Sequence, residues 1–510
     1  IDVPPMSYKM RRFLEAVSDY TITPINLILR LCTRVPDLSK PSVTQKVFSL
    51  VSNYSDFKKT PQRDLLISAL TKTNKNKLTT KEIVSISGVS SAVIAAAARI
   101  GILNEEIIPR DRPYPVLNPN FKSKKLSPSQ INACTAIMDL QKKNSFSSIL
   151  LQGVTGSGKT EVYLEAVANA LKNGEQVLVL LPEIALTSEF FNRVKNRFGA
   201  NPAEWHSGAT LAERRRIWKM VASGGAKLVI GARSALFVPF MNLGLVIVDE
   251  EHDHSYKQED GVIYNARDMA VLRSSIEGIP VILASATPSL ESWVNAKNGK
   301  YNHVQIHERF GQATLPSLSV VDLRTENLKS SEWISDSLEK SITECLNNEE
   351  QSLLFLNRRG YSPTTVCRAC GNQISCDECD ARMVEHRFIN RLMCHQCGHT
   401  KAMPHKCPSC GIKGKLAVVG PGVERLAEEA QIKFPKAVIS VLSSDLYGSA
   451  KSLKDEIQKI SEGNTDIIIG TQLVAKGHNF PKLRLVGVID IDIGLQGSDL
   501  RAAERTYQLV

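Results

Sequence analysis

No stretch of this chain is apolar for long enough to cross a bilayer, which takes roughly 20 consecutive residues. The longest apolar runs, such as the VLVLL core of 176–181, have the length of buried strands. No signal-peptide pattern opens the chain. No membrane partner is expected. Cysteine is scarce outside one window: eight of the eleven lie between Cys367 and Cys410, leaving only Cys32, Cys134 and Cys345 elsewhere. A secreted disulfide framework would spread its bridges along the chain. The clustering excludes that class and suits a reducing compartment, so a cytoplasmic location is expected. Short-period repeats and low-complexity tracts are missing too. Acidic residues are in deficit, 52 Asp plus Glu against 63 Lys plus Arg, leaving a formal charge of +11. That balance favours a polyanionic partner, most simply nucleic acid. On charge alone, a basic protein without such a partner is an equal alternative.

What is present is an ordinary globular composition, 43% hydrophobic and 23% charged. At roughly 100–200 residues per domain, the chain of 510 residues predicts three or four domains. It begins at Ile1 rather than Met and stops at Val510 inside a pattern that continues, so a fragment is expected. Residues 1–38 carry helical patterns at 10–17 and 24–32. Residues 39–120 are rich in Lys, Ser and Thr. Within them, TTKEIVSISGVSSAVIAAAARIGIL (79–103) reads as a helix, a turn at Gly88 and an Ala-rich helix, the pattern of a winged-helix-like domain. Such folds serve both DNA contact and plain packing, and both uses stay open. The Pro-rich stretch 109–119 reads as a linker. From 121 onward, short apolar runs alternate with helical patterns: 148–152, 177–181, 227–230, 245–248 and 281–284. A second series follows at 352–356, 437–442, 466–469 and 485–489. Strands alternating with helices predict α/β lobes, each a parallel sheet with helices on both faces. The division expected is lobe 1 at 121–320 and lobe 2 at 321–510, with a cysteine-rich insertion at 363–415.

Gly153, Val154, Thr155, Gly156, Ser157, Gly158, Lys159 and Thr160 spell the phosphate-loop pattern GxxxxGK[ST] between a strand and a helix. The glycines let backbone amides approach phosphates, and the helix N-terminus adds positive potential. Lys159 is expected to reach the β- and γ-phosphates of ATP, and Thr160 to hold Mg²⁺. Asp249-Glu250-Glu251-His252 follows the apolar run 245–248, where open α/β sheets place ligand groups. Asp249 is assigned to Mg²⁺ and Glu250 to the attacking water, the positioning that phosphoryl transfer requires. Gln130 and the Ser285-Ala286-Thr287 turn gain weight from their order relative to these motifs.

The eight clustered cysteines form four CxxC pairs: Cys367/Cys370, Cys376/Cys379, Cys394/Cys397 and Cys407/Cys410. Each pair puts two thiolates on one tight knuckle, and two knuckles complete a closed Cys₄ zinc site. Two Zn²⁺ are expected, with three ways to pair the knuckles. His386, His395, His399 and His405 are not needed as ligands. Cys32, Cys134 and Cys345 read as core thiols.

These motifs resemble superfamily 2 helicases and, within them, the primosomal protein N′ family of bacterial replication-restart DNA helicases. The strings that carry the resemblance are GVTGSGKT (153–160), LLPEIALT (180–187), GARSALFVPF (231–240), DEEHDHSYKQEDG (249–261), ASATPSLES (284–292), FLNRRGYSP (355–363), GTQLVAKGHNFP (470–481) and DLRAAERTYQLV (499–510). They run in order over nearly the whole chain. The resemblance implies two tandem RecA-like helicase lobes. It implies ATP-driven 3′-to-5′ movement on single-stranded DNA, recognition of stalled or collapsed replication forks, and primosome assembly. Forked, single-stranded and duplex DNA are the implied partners, with helicase-loading proteins and single-stranded-DNA-binding protein; a monomer is expected. Residues 1–38 resemble the end of the family's 3′-DNA-binding domain. The zinc knuckles are implied to nest, outer pairs on one ion and inner pairs on the other. Tyr256, Lys257 and Tyr264 fall in the family's aromatic-rich loop, where rings stack bases. Val262 and Ile263 stand in this loop where the family carries a tryptophan. Thr287, Thr471, Gln472 and Lys476 fall in motifs that contact DNA or couple it to the nucleotide. The family's arginine finger comes after Val510. The chain as it stands is therefore a candidate for binding ATP without turning it over.

Overall fold

The structure is a computed structural model. It describes residues 5–509 apart from 36–37, 39–43, 53–59, 74–75, 110–112, 183–187, 310–315, 327, 329–331, 357–363, 380–382, 387–390, 395–396, 420–422, 443–449, 472–479 and 493–499. Lobe 1 is built on a seven-stranded, all-parallel sheet. Its order is Asn302–Ile306, Ser147–Gly153, Pro280–Ser285, Leu243–Asp249, Gln176–Leu180, Leu228–Gly231 and Ala203–Trp205. The central strands are apolar at successive positions because both faces are covered. Side chains alternate between the two faces. Leu150, Leu178, Leu180, Val246, Val248 and Leu283 enter one core. Their neighbours Ile149, Leu151, Val177, Val179, Ile247 and Ile282 enter the other. Helices Pro128–Gln141, Lys159–Lys172 and Ser188–Phe198 close the second face, and Leu211–Ala222 with Ala266–Glu277 close the first. The two short edge strands went unread in the sequence. AEW and NHVQI carry too little apolar length to announce themselves.

The boundary expected at residue 38 does not follow the packing. Helices Tyr8–Thr21 and Ile25–Thr33 put Met10, Phe13, Leu14, Val17, Ile28 and Cys32 into the first core of lobe 1. Phe13 lies against Phe237, with ring centroids 5.6 Å apart. Trp218 Nε1 donates to the Cys32 carbonyl at 2.8 Å, and Lys9 Nζ to the Glu277 carbonyl at 2.7 Å. A helix with one apolar stripe is stable only where that stripe is buried, and here lobe 1 buries it. The stretch read as a linker is docked too: Tyr114 donates to Glu213 at 2.9 Å, and Asn118 N to the Phe198 carbonyl at 2.9 Å.

Between these segments, strands Leu78–Thr79, Thr44–Leu50 and Leu103–Pro109 form an antiparallel sheet over helices Pro61–Thr71, Thr80–Ser87 and Ser91–Arg99. Thr79 and Glu82 close a capping box that starts the second helix, and Gly88, at φ 69°, ends it. Helices Thr80–Ser87 and Ser91–Arg99 cross at 113°, the angle of a helix-turn-helix pair. Among the described residues no single helix is long and apolar enough to cross a membrane.

Lobe 2 repeats the plan with four parallel strands in the order Ile439–Leu442, Ile467–Gly470, Gln351–Leu356 and Leu483–Ile489. Leu354, Leu356, Ile467 and Ile469 face one core, and Leu353, Phe355, Leu442 and Ile468 the other. The cysteine-rich insertion leaves the lobe after Leu356. It forms a five-stranded antiparallel sheet in the order Thr400–Ala402, Arg391–Met393, Val384–His386, Thr364–Cys367 and Leu416–Val419, four residues past the expected end. Arg368 ties the insertion to lobe 2, stacked 4.4 Å over the Trp333 ring and donating to the Glu332 carbonyl at 2.8 Å.

Candidate functional site

The phosphate-loop motif runs from the end of strand Ser147–Gly153 into helix Lys159–Lys172. Gly156 (φ 80°) and Gly158 (φ 84°) occupy backbone conformations that L side chains resist. A Cβ on Gly158 would also run into the Gln130 amide. Gln130 lies at the start of the preceding helix, where it closes a capping box with Ser127, and its Nε2 donates to the Ser157 carbonyl at 2.8 Å. Lys159 is buried at the mouth of the loop, with Nζ 2.9 Å from the Gly153 carbonyl oxygen. Val154 accepts from Ser157 N at 3.0 Å, while Thr155 and Gly156 face solvent.

Asp249 ends the central strand of the same sheet, buried, with its carboxylate held from both sides. Oδ2 accepts from the Tyr163 hydroxyl at 2.8 Å and Oδ1 from Glu250 N at 3.0 Å. Burial pushes this carboxyl up to about 6, and the Glu250 charge adds to the rise. The Tyr163 hydrogen bond and the Lys159 charge oppose it without cancelling it. Glu250 has φ 47°, a left-handed conformation that is uncommon for a non-glycine residue. Such strain persists where the surroundings impose it, and it concentrates at functional sites. The turn throws the Glu250 side chain toward solvent and sends Glu251 inward.

Glu251 was not among the expected site residues. It is 1% exposed and accepts from Ser289 N at 2.7 Å, Ser289 Oγ at 3.0 Å, Ser292 Oγ at 2.9 Å and Arg267 Nη1 at 3.3 Å. It thereby fixes the start of helix Leu290–Lys297, directly after the Ser285-Ala286-Thr287 turn. His252 Nδ1 lies 2.8 Å from Ser285 Oγ, which also accepts from Thr287 N at 3.0 Å. The signal in the sequence was three acids running out of a fully buried strand: a turn that tight cannot solvate them all.

Tyr256 and Tyr264 require a correction. They are 1% and 3% exposed, so neither ring is available to stack on a base. The Tyr256 hydroxyl reaches the carbonyls of Asp249 at 2.6 Å and Leu180 at 3.0 Å. Tyr264 packs edge-on against Phe237, centroids 5.1 Å apart. Their rings anchor the loop beneath the acidic turn, while Lys257 and Ile263 face outward. Thr287 and Thr471 stand half-buried just past the C-terminal ends of strands in lobes 1 and 2. Gln472 and Lys476 lie outside the described residues. The lobes touch through helix Leu290–Lys297: Glu291 pairs with Arg501, Nη1 at 3.1 Å, and Glu504 accepts from Leu290 N at 2.9 Å.

The cysteines gather into two groups, Cys367, Cys370, Cys407 and Cys410, and Cys376, Cys379, Cys394 and Cys397. Within each, the four sulfurs lie within 4.8 Å of one another. The close pairs are Cys367–Cys410 at 3.6 Å, Cys370–Cys407 at 3.7 Å, and Cys376–Cys397 and Cys379–Cys394 at 3.5 Å. Four sulfurs about 2.3 Å from a central Zn²⁺ stand about 3.8 Å apart, so both donor sets fit that ion. Gly371, Gly398 and Gly411, each following a second knuckle cysteine, take φ of 76°, 80° and 74°. That lets the chain turn back under the sulfurs. Among the described residues no histidine joins either group.

Two family models match the chain: DEAD/DEAH box helicase over residues 127–295, and the PriA DNA helicase Cys-rich region (CRR) domain over residues 376–401. The replication restart protein PriA of Rickettsia conorii is 42% identical over 420 residues, 81% of this chain and 64% of the relative. That of Bacillus subtilis is 38% identical over 441 residues, 85% of this chain and 54% of the relative. The chain thus spans 64% and 54% of the length of these two relatives. Among solved structures, the DUF1998 helicase MrfA bound to DNA superposes with a TM-score of 0.43 at 14% identity, over 83% of this chain and 49% of that one.

Proposed function

Because this chain belongs to the PriA family of replication restart proteins, we propose that it forms the ATP-driven motor of a DNA helicase. It moves 3′-to-5′ on single-stranded DNA, acts at stalled or collapsed replication forks, and promotes primosome assembly with helicase-loading proteins and single-stranded-DNA-binding protein. It works as a monomer in the cytoplasm. One observation carries the reading: a phosphate loop, a buried Asp249 and a strained Glu250 converge at the C-terminal edge of one parallel sheet. Open α/β sheets bind ligands there.

Lys159 binds the β- and γ-phosphates, with the loop amides and the helix N-terminus adding positive potential. Thr160 and Asp249 are the residues that would hold Mg²⁺, which when bound offsets phosphate charge. Glu250, turned to solvent, orients the attacking water, and Gln130 braces the loop from behind. Thr287, Thr471, Gln472, Lys476 and Lys257 belong to the DNA-facing and coupling set. Tyr256 and Tyr264 act in it only as anchors of the loop. The helix-turn-helix unit is a winged-helix-type DNA contact. Zn²⁺ in each Cys₄ set would cross-link the insertion.

ATP hydrolysis with and without forked DNA tests the proposal. It is measured on this chain and on a chimera continued with the matching C-terminal part of a relative. DNA-stimulated turnover in the chimera, lost on Lys159→Ala, supports the motor. DNA binding without stimulated turnover in either protein would overturn it in favour of a non-catalytic scaffold.

A further inference from the structure

Tyr163 has no role in the reading above, yet its placement is hard to explain as packing. It lies on helix Lys159–Lys172 and is fully buried. A phenylalanine would fill the same space without the cost of burying a hydroxyl. The hydroxyl instead donates to Asp249 Oδ2 at 2.8 Å, across the boundary between the phosphate-loop helix and the central strand. Thr160 stands three residues earlier on the same helix, the spacing that brings two side chains onto one face. The hydroxyl thus ties the strand carboxylate to the helix that also carries Thr160.

We infer that Tyr163 is a positioning residue for the divalent cation of the nucleotide site, its phenol holding the Asp249 carboxylate in place against the helix that carries Thr160. The inference rests on the motor reading above, in which those two side chains are the protein's anchors for the ion. The geometry is that of an outer-shell partner. A metal-binding group is oriented by a hydrogen bond to its unused lone pair, and loss of such partners commonly costs about 10-fold or more in metal affinity. Asp249 needs such a partner. Its other contact, from Glu250 N, comes from its own chain neighbour and moves with the strained turn.

The test is a Mg²⁺ titration of this chain in the presence of a fluorescent ATP analogue, with Tyr163→Phe, Thr160→Ala and Asp249→Ala beside the parent. Melting temperature is recorded in EDTA for each. Tyr163→Phe is expected to bind the analogue in EDTA as the parent does. Its Mg²⁺ midpoint should rise about tenfold. Adding Tyr163→Phe to Asp249→Ala should produce little further change, because the carboxylate it orients is already gone. An unchanged midpoint in a folded Tyr163→Phe protein overturns the inference. So does an equal loss of analogue binding with and without Mg²⁺, which would make Tyr163 a plain support of the loop. If Tyr163→Phe melts too early to titrate, the parent and Asp249→Ala are compared with 3-fluorotyrosine in place of tyrosine. The ring substituent must then move the Mg²⁺ midpoint of the parent and not that of Asp249→Ala; the reverse overturns the inference. If Thr160→Ala and Asp249→Ala both keep the parent's Mg²⁺ dependence, the motor reading itself fails.

Discussion

Asp249 works against the stability of the fold that holds it. Its carboxyl is pushed up to about 6 from an ordinary 3.8, first by burial and then by Glu250. A carboxyl whose folded value is raised costs stability when ionised. That cost is complete above about pH 6 and vanishes as pH falls below the unfolded value. A shift of this size corresponds to about 3 kcal/mol at most. Asp249→Asn should therefore raise the melting temperature in EDTA at pH 7.5 and change little at pH 4. The Tyr163 hydroxyl can reverse and accept from the new amide, so no polar atom is orphaned. A destabilised Asp249→Asn protein at pH 7.5 would show that the carboxylate is held by favourable contacts rather than tolerated. Glu251 presents the opposite balance. Four donors satisfy it, and removing one partner of a buried charge network costs about 3–5 kcal/mol.

Among the elements, the insertion depends most on something other than packing. Among the described residues its buried apolar core comprises Ile374, Met383, Leu392 and two of the ligand cysteines, Cys376 and Cys394, with Cys379, Met403 and Leu416 partly buried against it. A core that small does not hold a sheet by itself, and structural zinc contributes folding free energy directly. Two bound Zn²⁺ are expected per chain, falling to one in Cys376→Ser. Chelation should raise amide exchange across 364–419 and leave strand Leu243–Asp249 protected. Retention of slow exchange in the insertion after complete removal of zinc would refute this. Arg368 extends the consequence into lobe 2. It projects from the first knuckle onto Trp333, so loss of the outer site should loosen the start of helix Asp336–Asn347 as well.

In the whole molecule, the candidate nucleotide site reaches lobe 2 through a short path. Glu251 fixes the start of helix Leu290–Lys297, whose first turn carries Glu291, which pairs with Arg501 across the lobes. The Glu291 carboxyl is drawn below its ordinary value: burial opposes the shift, but the Arg501 hydrogen bond, a backbone hydrogen bond and the Arg267 and Arg501 charges together outweigh it. Both partners are substantially exposed, 48% and 41%, so the pair is worth only about 0.2–1 kcal/mol. That magnitude suits a contact that must make and break. Arg501→Glu should lengthen the mean distance between fluorophores on the two lobes at low salt. The swap Glu291→Arg with Arg501→Glu should restore it. In 1 M salt, where the Debye length is about 3 Å, the parent should approach the single variant. Equal distances in all three proteins would remove the pair from any account of lobe movement.

The amino-acid sequence determined the parts whose physics is local. Apolar runs of strand length alternating with helical patterns required parallel sheets covered on both faces. A glycine-spaced loop between strand and helix required a phosphate-sized cradle. CxxC pairs required knuckles. Each follows from backbone geometry within about ten residues. Only the tertiary structure decided what depends on distant segments meeting. Spacing left three pairings of the knuckles, and the sheet that brings Cys367 beside Cys410 selects one. The first helices carry an apolar stripe that says nothing about its partner, and the partner is lobe 1. Tyr256 and Tyr264 have the composition of a stacking loop, yet burial makes them anchors. Glu251 lies one residue from an expected site residue, but its donors come from positions 267, 289 and 292. Long-range contacts like these are set by which surfaces the fold brings together, and no local pattern encodes that.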